Sequence, residues 1–144
     1  MGLGLLGRGV GDIAFLAKQG AELLVTDLKS AKELKPSLSR LKRYKDIRFV
    51  LGKHRFEDFR NRDVILKAAG VSLDSLYVAE AKKRGIPVDI STALFALFTP
   101  ATVVGVTGTR GKSTVTHLIY YTLKQARKRV HLGGNVKGVS TLAL

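Results

Sequence analysis

The run Gly2-Leu-Gly4-Leu-Leu-Gly7 at the head of the chain is a full G-x-G-x-x-G, and it narrows the fold more than any other stretch. Glycines at this spacing belong where a strand turns sharply into a helix: the first makes the turn, the second admits a diphosphate, and the third lets helix pack on strand. A helical pattern follows at once, with Ile13, Leu16 and Ala17 on one face and Gln19-Gly20 as its stop. Next comes Ala21-Glu-Leu-Leu-Val-Thr-Asp27, an apolar strand ending on a carboxylate about twenty positions past the glycines, the spacing at which an acidic residue reads a ribose or base. The alternative reading of Asp27 is a cap for the turn that follows. Glycines, helix, strand and acidic end together predict an open, parallel, Rossmann-like α/β sheet.

Such a fingerprint ordinarily follows a strand, and here only Met1 precedes it. The expectation is a sheet lacking its first, central strand, as a truncated reading frame would give, with unpaired backbone groups on either side of the gap. The rest of the pattern continues the alternation. A helix interrupted by Pro36 is expected over 30–45, then strands at Arg48–Leu51 and Asp63–Leu66, a helix from Ser75 to Arg84 and a short strand at Ile86–Val88. A last helix spans Ser91 to Phe98 and is stopped by Thr99-Pro100. The predicted division is therefore a first domain over 1–98 and the start of a second over 99–144.

That second piece opens on Thr102-Val-Val-Gly-Val-Thr-Gly-Thr-Arg-Gly-Lys-Ser-Thr114. Its first half has the β-branched composition of a buried parallel strand, and its second half is a glycine turn leading into a helical pattern from Val115 to Lys124. A strict P-loop places a glycine five positions before Gly111, where this chain has Val106, so the match is to a shortened form. Gly108 and Gly111 would let backbone N–H groups, Thr109 and Arg110 among them, turn inward around phosphate oxygens. Lys112 would reach the terminal phosphates as the candidate catalytic residue, while Ser113, beside Thr114, would complete a Mg2+ shell. A further strand is expected at Val130–Leu132, running into Gly133-Gly-Asn135.

Composition adds limits. With no cysteine, disulfides and thiolate metal sites are excluded, and a reducing, cytoplasmic setting is expected. No apolar run approaches a bilayer span, and no leader pattern stands at the N-terminus, so a soluble protein is expected. The formal net charge of +14 is concentrated between Lys29 and Arg62, which raises nucleic acid as a partner, but no nucleic-acid motif accompanies it. His54 reads as a surface turn residue; His117 and His131 read as packing or surface positions without ligand spacing.

The glycine fingerprint, then Val-Thr-Gly-Thr-Arg-Gly-Lys-Ser-Thr, then Gly133-Gly134-Asn135, in that order and over essentially the whole chain, resemble the Mur ligases, and within them the D-glutamate-adding branch. The resemblance implies an N-terminal Rossmann-like domain holding a UDP-muropeptide, a central ATPase domain and a third domain bringing the amino acid. It implies a cytoplasmic, monomeric enzyme that uses ATP and Mg2+ to join D-glutamate to UDP-N-acetylmuramoyl-L-alanine through an acyl phosphate, in peptidoglycan precursor synthesis. By motif matching, Leu5 and Leu6 would line the uridine pocket, and Asp27, Leu28 and Lys29 would meet uracil and ribose. Gly70 would approach the diphosphate, Gly108 to Thr114 the ATP phosphates, and Asn135 the muramoyl group. Leu6 and Leu28 stand where hydroxyl residues are common, and Ala68-Ala69 where Ser-Pro is usual. The partners that the resemblance assigns to catalysis beyond Leu144 imply that the 144-residue chain alone is catalytically silent.

Two other classes remain compatible with the residues. One is an NAD(P)-binding regulatory or redox domain built on Gly2 to Gly7 and Asp27; the other is a basic nucleic-acid-binding module.

Overall fold

The computed structural model describes residues 1–134, 136 and 139–144. Its elements in chain order are α1 (Arg8–Lys18), β1 (Leu23–Asp27), α2 (Lys35–Leu41), β2 (Ile47–Leu51), a 3-10 turn (Phe56–Phe59), β3 (Ile65–Leu66), α3 (Leu76–Lys83), β4 (Val88–Asp89), α4 (Ser91–Phe98), α5 (Lys112–Gln125) and a second 3-10 turn (Thr141–Ala143). β1 pairs with β2 in parallel, Leu23 opposite Ile47 through Asp27 opposite Leu51, and β3 pairs in parallel with β4.

Met1 and Gly2 join these two half-sheets. The Met1 terminal amine donates to Leu66 O at 2.8 Å while Ala68 N–H donates to Met1 O at 2.8 Å, the slanted pattern of a parallel pair. On the other side Gly2 N–H donates to Thr26 O at 2.8 Å. The order across the molecule is thus β2, β1, Met1–Gly2, β3, β4. The first two strands lie on one side of a central position and the last two on the other, the doubly wound arrangement expected from the fingerprint.

Each half-sheet has its own core. Leu3, Val10, Val25, Leu34 and Leu41 bury together between α1, α2 and β1, with Ile13, Leu38 and Leu51 packed around them. Phe59, Ile65, Ala81 and Ile86 form the second cluster, against which Met1, Tyr77 and Val88 pack. α1 and α3 stop the same way: Gly20 and Gly85 take left-handed φ values of 80° and 72°, and the next residue, Ala21 or Ile86, donates back to Leu16 O or Ala81 O. This is the closure that glycine makes without Cβ strain.

Several expectations are corrected. Pro36 does not interrupt a helix but stands in the first turn of α2, where its missing N–H has no intrahelical partner to lose. The strands expected at Thr102–Val106 and Val130–Leu132 are not formed. A strand needs a neighbour for its backbone groups, and among the described residues neither run has one; Val103 and Val104 stay more than half exposed. His54 is not a free surface residue: its ring lies edge-on to Phe59 of the 3-10 turn and Tyr77 of α3, which pack against each other beside it. Burial, reinforced by the nearby Met1 ammonium, lowers its pKa below the usual histidine value.

Candidate functional site

The glycine loop lies at the carboxyl ends of the strands, where the chain order reverses. Gly2, Gly4 and Gly7 all take left-handed φ values, 83°, 65° and 86°, so the loop winds through backbone space that other L-residues occupy at a cost. A Cβ on Gly2 would stand 2.9 Å from the Ala68 methyl, which ties the first glycine to the loop after β3.

Asp27 holds this loop together. Its Oδ2 accepts the Gly4 N–H at 2.9 Å and its Oδ1 accepts the Lys29 N–H at 2.8 Å, while the residue itself is buried. Ser37 Oγ on α2 then donates to Gly4 O at 2.8 Å. Asp27 therefore has a built-in task in shaping the loop, in addition to whatever its remaining lone pairs read. Leu5, Leu6 and Leu28 are at least half exposed above it, although all three are apolar. Leu5 and Leu6 border a cavity of about 530 Å³ that also reaches Gly4, Ala68 and Ala69, and Leu28 stands exposed just past the end of β1. Lys29 and Gly70 are exposed on the same edge, at the ends of β1 and β3. The structure thus brings Leu5, Leu6, Asp27, Leu28, Lys29 and Gly70 to one edge. Asn135 lies outside the described residues.

The second candidate site is the turn before α5. Gly108 and Gly111 take positive φ values of 149° and 75°, and α5 begins immediately after Gly111. No side chain caps its N-terminus. Among the described residues, the amides of Thr109, Arg110, Gly111 and Lys112 donate to no protein acceptor. Four inward-capable N–H groups at the head of a fourteen-residue helix are a donor set suited to phosphate oxygens. Lys112 Nζ folds back over the carbonyls of Gly108 and Thr109, so its charge sits over the turn rather than away from it. Ser113 and Thr114 follow in the first helical turn, exposed.

One feature was missed from the sequence. The C-terminal segment returns to the N-terminal helices: its 3-10 turn packs on α1 and α4, with Thr141 and Leu142 buried. Ser140 Oγ donates to Asp12 Oδ1 at 2.6 Å, and Arg8 donates to Gly134 O at 3.3 Å. The signal was present in α1, whose Gly9 and Gly11 each cost about 1 kcal/mol relative to alanine. A Cβ on Gly11 would meet Ser140 Cβ at 2.4 Å, and one on Gly9 would meet Leu3 O at 2.3 Å, so both glycines mark close approaches.

The sequence comparisons bear on this geometry directly. Residues 1–89 match the family model described as Mur ligase MurD-like, N-terminal domain. The chain belongs to this family. Curated relatives named UDP-N-acetylmuramoylalanine--D-glutamate ligase include one from Borreliella burgdorferi (strain ZS7), 49% identical over 144 residues, covering 99% of this chain and 31% of the relative. One from Treponema pallidum (strain Nichols) is 40% identical over 136 residues, 94% of this chain and 26% of its own length. Another, from Roseiflexus sp. (strain RS-1), is 38% identical over 137 residues, 95% of this chain and 29% of its own. The chain thus spans about three tenths of the length of these relatives. The MurD-like match contains the glycine loop, Asp27 and Gly70, and ends at the last residue of β4. Among the described residues, no helix is long and apolar enough to cross a membrane, and no three or more His, Cys, Asp or Glu side chains cluster so as to hold a metal ion.

Proposed function

We infer that the chain is the opening part of an ATP-dependent ligase that adds D-glutamate to UDP-N-acetylmuramoyl-L-alanine, its first domain binding the UDP portion. The observation that carries this reading is the cavity of about 530 Å³ beside the glycine loop, bordered by Gly4, Leu5, Leu6 and Ala69, with Leu28, Lys29 and Gly70 exposed after the ends of β1 and β3. A uracil ring fits between apolar walls, and a diphosphate fits beside backbone amides. Asp27, anchored by two amides, orients the loop on which Leu5 and Leu6 ride.

The turn before α5 fits ATP phosphates and Mg2+, with Gly108, Thr109, Arg110, Gly111 and Lys112 as phosphate donors and the Ser113 hydroxyl as a metal ligand beside Thr114. ATP, when bound, supplies the phosphoryl group that activates the substrate carboxylate as an acyl phosphate. The contribution of this chain is to hold the phosphates and neutralise their charge through Lys112. Phosphoryl transfer needs charge stabilisation from several sides, so a cradle alone gives binding without turnover. The complete enzyme is read as a cytoplasmic monomer, and the domain division is placed between residues 98 and 99.

Titration of the isotopically labelled chain with UDP-N-acetylmuramoyl-L-alanine tests the first site. Saturable shifts at the amides of Leu5, Leu6, Leu28 and Gly70 are expected, with Lys29→Ala weakening the affinity about tenfold through loss of a contact to the uracil or ribose. Saturable NADH binding with no response to UDP-sugars would overturn the reading. Phosphate release from the purified chain above background would overturn its predicted inactivity.

A further inference from the structure

Two faces of α1 serve two different cavities. Asp12, Ile13 and Leu16 border the cavity beside the glycine loop. Ala14, Phe15 and Lys18 recur at the three- and four-residue spacing of the opposite face, and with the C-terminal end of α2 they line a second cavity of about 630 Å³. That is the size of a small-molecule site. No residue lines both cavities. α1 starts at the glycine loop and rises about 1.5 Å per residue, so Lys18 stands about 15 Å along the helix from that loop.

The second cavity has an apolar floor and a cationic rim. Ala14 and Phe15 supply the floor; Lys18, Arg40, Lys42 and Arg43 supply the rim, and no carboxylate lines it. Among the described residues none of these four cations makes an ion pair, whereas Arg48, Arg55, Arg60 and Arg84 all pair with carboxylates. The carbonyl ends of α1 and α2 favour cations nearby, which accounts for their position, but that attraction is confined to the last turn and leaves the charged heads unpaired. Like charges around one space repel, and an anion among them relieves the repulsion. Arg43 is already held in place, its guanidinium over the Tyr44 ring at 5.1 Å from the centroid. A stacked guanidinium loses less freedom on pairing with an oxyanion, and its fork of N–H groups matches phosphate oxygens.

We propose that this cavity binds a small phosphate monoester with an aromatic or aliphatic body. The dianion lies among Arg40, Arg43 and Lys18, and the body rests on Ala14 and Phe15. A dianion answers to several unpaired cations better than a single carboxylate does, and the floor rewards an apolar body that inorganic phosphate lacks. The site stands independently of the nucleotide crevice, with which it shares no residue.

The test titrates 1-naphthyl phosphate into the isotopically labelled 144-residue chain at physiological ionic strength. Saturable shifts are expected at the amides of Ala14, Phe15, Lys18 and Arg43, with inorganic phosphate and 1-naphthol each binding at least about tenfold more weakly. Arg40 and Arg43 are exposed, so the double variant Arg40→Gln, Arg43→Gln is expected to keep its circular dichroism spectrum and to lose at least about tenfold in affinity. Arg48→Gln removes an arginine already paired with Glu22 and is expected to change affinity less than about twofold. Shifts confined to the nucleotide crevice overturn the second site, and equal affinity for inorganic phosphate overturns the role of the floor. A loss in Arg48→Gln as large as in the double variant means attraction by net charge alone and overturns the site. Any co-sedimentation with phosphatidate vesicles is expected to be insensitive to the probe; co-sedimentation that the probe displaces assigns the cavity to a lipid headgroup and overturns the soluble ligand.

Discussion

At the level of single residues, Asp27 shows how a functional signature and a structural one coincide. Both carboxylate oxygens accept backbone N–H groups within a buried setting, so Asp27→Asn keeps the shape but turns an NH2 toward one of those donors. The expected loss is about 1–3 kcal/mol of stability, read as a lowered urea midpoint with an unchanged slope. Gly9→Ala tests a different cause. It raises helix propensity yet drives a methyl onto Leu3 O, so destabilisation of about 1–3 kcal/mol is expected from overpacking, against a gain of up to about 1 kcal/mol if propensity alone mattered. The spacing of Gly2, Gly4, Gly7 and Asp27 was readable in the sequence because each glycine answers to a local backbone demand. The contact of Gly11 with Ser140 was not, since it joins residues 129 positions apart through packing that no periodicity encodes.

Elements were legible where their partners are local. α3 and α4 fall within a residue of their expected bounds, because capping and stop signals lie inside the segment itself: Ser75 before α3, Gly85 after it, Thr99-Pro100 after α4. The run Thr102–Val106 has a strand's composition and no strand's neighbours, so composition could not decide it. α5 is the intermediate case: fourteen residues with none buried, and Leu118 and Tyr121 exposed. A helix of that length without tertiary support is marginal in water. Its amides are therefore expected to exchange close to the intrinsic rate while those of β1 are strongly protected, a contrast that exchange mass spectrometry reads directly. The end of α5 offers a second check. Arg127 takes the left-handed φ of 56° that glycine takes after α1 and α3, and Lys128 N–H closes back on Leu123 O. Arg127→Gly relieves that strain and is expected to stabilise α5 by about 0.5–1 kcal/mol, visible as increased helical circular dichroism.

For the molecule as a whole, the decisive point is that its two half-sheets, each with its own core, meet through two residues. The doubly wound order and the gap at its centre both follow from a fingerprint preceded only by Met1, which places the chain's N-terminal charge between the half-sheets. Burial lowers the pKa of the Met1 amine from 8.0 to about 6, only partly opposed by the negative charge of Asp27. The sign follows from proton counting. Between pH 6 and 8 the unfolded chain holds the proton that the folded chain has released, so stability rises with pH across that window and levels off above it. Below pH 6 both states are protonated and the full penalty, about 2–3 kcal/mol for a shift of this size, is present. His54, whose pKa is also lowered by burial, acts with the same sign at the lower end of the window. Acetylating the amine separates the two, because it removes the terminal charge and leaves His54 in place. Urea midpoints measured from pH 5.5 to 8.5 are expected to climb for the free chain, with Met1 retained by mass, and to climb much less for the acetylated one. Parallel curves for the two forms would mean that the terminal amine is solvated in the folded protein, and that the half-sheets are not joined through Met1.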